Sequence, residues 1–391
     1  MSHPPFRPFP ALAALSLLTA LVRLNGAEIP PIGPGEFAVG STNLEVTVPT
    51  AAPMIDYLNG KAAGRQVTYL SDILAHRETA LLLNIDVPAE PKVFNSQAGI
   101  RIPLVLYVLY PTAKDNPRAD YKFPYAETGD NVFPHMQGVG EKPLFADPHA
   151  KYPLIVYSGG FNTHGLWHLW HLKVLAAHGY IVVDLFHGDN REPSFGTAMA
   201  VRPIELRAAL DYVLNHPEFA DAIDRDRIGA SGASAGGHTI LAAMGGIDPS
   251  GNQPPAADPR IKAGVGLVPF MGGVFGVWPF TVDNWLFGKD FSGLKSVRLP
   301  FLALYGQKDK NVPPEGVEAG VRAMSGPTIA VMLDGETHLL SNAAEVETFT
   351  WEVLFFDAWL RGDARARQKL ELGTTVRGGT SNHKTIQRAA P

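Results

Sequence analysis

From about residue 100 onward, short continuous apolar runs alternate with amphipathic stretches, a pattern that predicts a mostly parallel sheet covered by helices. The apolar runs at 102–110, 152–158, 180–186, 227–230, 261–268, 299–305 and 328–333 each have the length of a buried strand. Between and after them, 166–178, 203–214, 238–244 and 343–360 read as helices. Gly179 terminates the first of these, Pro203 suits the first turn of the second, and the last is long and amphipathic. Residues 269–296 are rich in Phe, Trp and Gly and read as an insertion rather than a core element. Residues 364–391 turn polar, which predicts a loose tail. A single α/β core is therefore expected over 100–363, preceded by an extension with the first strands at 28–99.

The N-terminus follows another pattern. Arg7 precedes an apolar run over 11–22, and Asn25-Gly26-Ala27 then leads into a polar, proline-rich stretch. This predicts a signal peptide over 1–27 and a secreted or periplasmic protein. The run is short for a bilayer span. Arg23 leaves an uncleaved or interfacial anchor as an alternative, beside a frayed apolar start of a cytosolic chain.

Composition acts mainly by exclusion. An apolar fraction of 46% permits a sizeable core, and a net charge of −5 without a basic stripe speaks against nucleic acid. The chain has no cysteine, which removes disulfides, thiolate metal sites and a cysteine nucleophile together.

The chemistry sits at the strand ends. Gly232-Ala233-Ser234-Ala235-Gly236 matches G-x-S-x-G, in which a sharp strand-to-helix turn presents the serine and side chains at the glycine positions would clash. Alone the motif is weak and could be a small-residue turn, but a predicted strand precedes it and a predicted helix follows. A serine hydroxyl needs a base and an orienting acid. Asp309 follows the strand expected to end at Tyr305, and His338 follows the last strand, so the order is Ser, Asp, His. Either residue alone would pass for a turn former or a packed histidine. An oxyanion hole would use the N–H groups of Ala235 and of Phe161, in the Gly159-Gly160-Phe161 loop.

His164, His168 and His171 share a helical face, yet no carboxylate lies among them and Trp167 and Trp170 interleave. Packing explains this row better than a metal, its position just after the oxyanion loop favours a place at the pocket's rim, and neither metal nor cofactor is expected. His187-Gly188-Asp189-Asn190 reads as a structural loop, with an edge of the site as the alternative. Phe161, Trp167, Phe270, Phe275, Trp278, Phe280 and Trp285 are candidates to line an apolar pocket, or equally to be core.

The stretches Ser158-Gly159-Gly160-Phe161, Leu175 to Tyr180 and Gly232 to Gly237, with the closing Phe355-Phe356-Asp357-Ala358-Trp359-Leu360-Arg361-Gly362, resemble the platelet-activating-factor acetylhydrolase-like (predicted dienelactone hydrolase) branch of the α/β-hydrolases. The resemblance covers about 100–362, with a weaker echo at 37–48. It implies an α/β-hydrolase fold, with a mostly parallel sheet and helices on both faces, and an exported esterase acting on short or medium acyl esters. The chain departs from that pattern in having Gly159-Gly160 where His-Gly is frequent, and Ala233 where His or Trp often precedes the serine. The expected function is serine carboxylic ester hydrolysis of a small or polymeric ester. A peptidase or amidase using the same triad, and a noncatalytic binding protein of this fold, are the alternatives.

Overall fold

The computed structural model describes residues 27–42, 81–122, 132–138, 141–163, 165–189, 194–251, 256–277, 279–284, 286–379 and 382–389. Residues 1–26 of the expected signal segment lie outside them, as do Trp278, Trp285 and His164. The protein is mixed α/β, built on a large and mostly parallel central sheet. In chain order its described strands are β1 (Ala38–Ser41), β2 (Leu81–Asp86), β3 (Arg101–Thr112), β4 (Tyr152–Ser158) and β5 (Ile181–Phe186). They continue with β6 (Ile223–Ala233), β7 (Ile261–Leu267), β8 (Phe301–Gly306), β9 (Thr328–Leu333) and β10 (Asn382–Arg388). Across the sheet the order is β10-β9-β8-β7-β6-β4-β5-β3, with β1 and β2 end to end along the outer edge of β3. The run from β9 to β5 is parallel, whereas β10 and β3 pair antiparallel at its two sides.

Where both faces of the parallel strands are covered they are largely apolar, and the charged positions 224–227 of β6 and Lys262 of β7 fall at the less buried starts of their strands. Leu154 and Val156 of β4 point into one core with helices α2 (Phe195–Asn215), α3 (Ala235–Ala243) and α4 (Pro314–Ala323). Their neighbours Ile155 and Tyr157 point into the other, with α1 (Leu169–Ala177) and α5 (Glu345–Trp359). This period-two alternation is what a pleated strand between two helical layers requires.

Several expectations change in detail. The helix expected at 203–214 begins at Phe195, capped by the Ser194 hydroxyl, so Pro203 lies inside it and not in its first turn. Pro203 carries no N–H and breaks one helical bond, which the buried packing of this long helix offsets. The first turn of the helix expected at 166–178 is a 3-10 turn over Gly165–His168. The insertion at 269–296 holds an antiparallel hairpin, Gly273–Val277 with Phe280–Asn284, but Phe270, Phe287 and Leu294 on either side of it are core residues. The largest correction is the C-terminus. The described residues 364–379 and 382–389 are not a loose tail: they form helix α6 (Ala364–Leu372), a strand over Gly373–Val376 paired with Ala27–Ile29, and β10 in the central sheet. This segment covers the outer side of α5, so α5 is buried nearly all round instead of amphipathic.

Candidate active site

The carboxyl ends of the parallel strands stand level. Ser158 pairs with Gly232, Ala233 with Leu267 and Gly306 with Leu333, so the loops that follow β4 to β9 converge on one edge. In open α/β sheets that edge forms the ligand crevice.

Ser234 occupies the turn from β6 into α3 with φ 54° and ψ −116°, a left-handed conformation unusual for a side chain bearing a Cβ. The turn is held by three backbone bonds: Ser234 N–H donates to Leu267 O, and Gly237 and Phe270 N–H donate to Ser234 O, each at 2.9 Å. The glycines of the motif are steric necessities. A Cβ on Gly232 would lie 2.6 Å from the Gly236 carbonyl, and one on Gly236 would lie 1.8 Å from Ser158 O. Gly237 is equally confined, with Pro269 Cβ 2.4 Å from where its Cβ would be.

The structure brings Ser234, Asp309 and His338 together. Ser234 Oγ is 2.8 Å from His338 Nε2, and His338 Nδ1 is 2.7 Å from Asp309 Oδ2. The carboxylate defines the tautomer: Nδ1–H donates to Asp309, leaving the Nε2 lone pair for the serine proton. Asp309 Oδ1 accepts from the N–H groups of Asn311 at 2.8 Å and Val312 at 2.9 Å, which fixes the carboxylate from behind. The acid and histidine loops are tied to each other by Lys308 N–H donating to Glu336 O at 2.8 Å. A Cβ on Gly306 would lie 2.7 Å from the carbonyls of Glu336 and Thr337, so glycine lets the two loops touch. The Glu336 carboxylate in turn accepts from the backbone and hydroxyl of Ser341, beyond the histidine.

Phe161 and Ala235 flank the serine. Their backbone N–H groups donate to no acceptor among the described residues. Gly160 stands against Ser234, a Cβ there being 3.7 Å from Ser234 Cβ. A cavity of about 480 Å³ opens over the serine, walled by Phe161, Trp167, His168, Trp170, Val268, Phe275 and Leu340. Three non-glycine residues of positive φ, Asn162, Ser234 and the β-branched Val268, line it together. Such concentration of backbone strain is typical of functional sites. Glu345 also lines this cavity, and burial raises its carboxyl above the ordinary range.

Of the other pocket candidates, Phe275 sits over His338 with ring centroids 6.2 Å apart. Phe270 lies beneath the cavity, buried and in edge contact with Phe275 and Phe195, and belongs to the core. Of the histidine row, His168 faces the cavity, whereas His171 turns away to bond Glu352. No group of three metal-ligating side chains is found among the described residues.

A second polar cluster lies behind the Gly159-Gly160 loop and was not anticipated from the sequence. Ser158 Oγ is 2.8 Å from His187 Nε2, and His187 Nδ1 is 2.5 Å from Glu205 Oε2. It repeats the serine–histidine–acid order, but Ser158 is 0% exposed, so no substrate reaches it. Beside it the buried Arg202 is bidentate to Asp189, with both bonds 2.8 Å. The available signal was His187-Gly188-Asp189 directly after a strand end on the same edge as the other loops.

No protein-family model matches the chain, and no curated protein matches it significantly. The family resemblance therefore rests on the short stretches that carry it.

Proposed function

We propose that this protein is a serine carboxylic ester hydrolase of α/β-hydrolase architecture, akin to the platelet-activating-factor acetylhydrolase-like branch, working through an acyl-enzyme. The observation that carries the proposal is the unbroken hydrogen-bonded chain from Ser234 through His338 to Asp309, opening into an apolar cavity. His338 Nε2 takes the Ser234 proton as Oγ attacks the ester carbonyl. Asp309 holds the imidazole and stabilises its charged form. Negative charge develops on the carbonyl oxygen, and the N–H groups of Phe161 and Ala235 receive it. The protonated His338 returns its proton to the departing alcohol, and water then repeats the sequence to free the acid. The residues supply every proton transfer, so the proposed reaction uses no cofactor. Phe161, Phe275 and Trp167 suit a short or medium acyl group or an aromatic ester. The N-terminal pattern supports export.

Hydrolysis of p-nitrophenyl esters from acetate to long acyl chains, by wild type and Ser234→Ala, tests this. Wild type should turn over the shorter esters, and the variant should lose at least about 10³-fold in kcat. Equal rates in the two proteins would sink the proposal, and faster turnover of matched amides would replace it with an amidase.

A further inference from the structure

The loop that carries Phe161 is gripped from behind by the buried Arg202–Asp189 pair, with Thr163 Oγ1 adding a bond to Gly160 O at 3.0 Å. Arg202 is 1% exposed, and each of its five N–H donors has an acceptor. Nε donates to Asp189 Oδ1 at 2.8 Å, and Nη2 donates to Asp189 Oδ2 at 2.8 Å and to Gly160 O at 2.7 Å. Nη1 donates to Gly159 O at 2.8 Å and, more weakly, to Ser158 Oγ at 3.4 Å. Two of these acceptors are carbonyls of successive peptide units.

That detail sets the direction of the opposite groups. In a planar trans peptide the N–H of one residue points away from the C=O of the residue before it. Holding the Gly159 and Gly160 carbonyls against Arg202 therefore aims the N–H groups of Gly160 and Phe161 away from the guanidinium. Gly160 is also the residue that lies against Ser234. The next peptide is turned the other way: Asn162, at φ 56°, donates its N–H to Asp189 Oδ2 at 2.7 Å. The Phe161 N–H is thus the outward-facing donor between peptides that the same ion pair pins on both sides. An ion pair serving only to hold α2 would need Asp189 alone, and the carbonyl contacts would be superfluous.

The geometry points to Arg202, braced by Asp189, as the positioning residue that pre-aims the Phe161 N–H at the developing oxyanion on Ser234. The inference rests on the serine-hydrolase reading above. Arg202 touches no reacting atom and acts through the loop. Its requirement for arginine is geometric, because a lysine ammonium cannot span a carboxylate and two carbonyls in one plane.

The test compares Arg202→Ala, Arg202→Lys and Asp189→Asn with wild type and Ser234→Ala on p-nitrophenyl butyrate, with a trifluoromethyl ketone as transition-state mimic. Arg202→Ala should lower kcat by about 10²–10³-fold, as loss of one oxyanion donor does, while KM stays within about threefold. Affinity for the ketone should fall with kcat. Millimolar guanidinium should restore part of the activity of Arg202→Ala and none of that of Ser234→Ala. Where Arg202→Ala fails to give a cooperative melt, Arg202→Lys and the isosteric Asp189→Asn carry the same kcat and ketone readouts, each expected to fall at least about tenfold. A folded variant of either residue that keeps kcat and ketone affinity within about threefold of wild type overturns the inference. So does a loss that follows thermal stability alone and is not rescued. Absence of Ser234-dependent hydrolysis in wild type would instead overturn the serine-hydrolase reading, so the two failures are told apart.

Discussion

Gly236 and Gly316 both sit in helices, and the same methyl group should act on them with opposite sign. Alanine in place of a helical glycine ordinarily stabilises by about 0.5–1 kcal/mol. Gly316, in α4, has nothing within 4 Å of its would-be Cβ, so Gly316→Ala should raise stability by about that amount. At Gly236 the added Cβ would meet the backbone carbonyl of Ser158 at 1.8 Å, with no flexible side chain to give way. Gly236→Ala should therefore cost at least the ~1–3 kcal/mol of an overpacked core and abolish Ser234-dependent hydrolysis, because relieving the clash moves the serine turn or the Gly159-Gly160 loop. Urea melts of both variants decide it, and a Gly236→Ala protein as stable as wild type would refute the steric reading. The residues of the Ser234 chain were readable in the sequence because each follows a strand end, in the chain order that this type of sheet topology imposes. Arg202 was not. It precedes a proline in what looked like a helix start, and nothing local marks an arginine whose partners lie 13 to 44 residues away.

At the scale of elements, β4 to β9 could be read from their apolar runs because two-sided burial makes the covered part of a parallel strand apolar, whereas the charged, less buried start of β6 at 223–226 was missed. The C-terminal segment could not, for the converse reason. Strand β10 is a sheet edge in which only Asn382 and Ile386 are buried, so its sequence is polar although its backbone pairs with the whole of β9. Its side chains also anchor the interior. Asn382 Oδ1 accepts from Trp351 Nε1 at 3.1 Å, and Thr385 Oγ1 is 2.7 Å from the Tyr305 hydroxyl. The segment further covers α5. Deleting residues 364–391 should therefore lower Tm by about 10 °C or more, or leave the protein insoluble, since it bares the edge of β9 and one side of a helix buried nearly all round. Activity should fall as well, because His338 hangs from the end of β9. A dispensable tail would leave Tm and kcat unchanged, and calorimetry of the truncated chain distinguishes the two.

For the whole molecule, the cost of burying polar groups in two cores on one sheet should appear as a dependence of stability on pH. His238 lies one helical turn beyond Ser234, fully buried in the core beneath the site and stacked on Phe270 and Phe287. Neither ring nitrogen has a hydrogen-bond partner among the described residues. Burial, aided by the nearby charge of Arg202, lowers its pKa from 6.5 to about 3. In the unfolded chain the same imidazole gains a proton as pH falls through about 6.5. Between these values the unfolded state binds the extra proton, so native stability declines as pH falls, by roughly 1.4 kcal/mol per unit for this group. Above about pH 6.5 both states are neutral at this position and the dependence vanishes. His238→Leu keeps a similar volume and removes both the titration and two unsatisfied buried nitrogens. At pH 8 the variant should match or exceed wild type in stability, and its advantage should widen as pH is lowered towards 4. Other titrating groups are common to both proteins, so the difference between their stability–pH curves isolates His238. Parallel curves from pH 8 to pH 4 would mean that the imidazole is solvated or partnered, and that the core beneath the serine turn is wetter than its packing indicates.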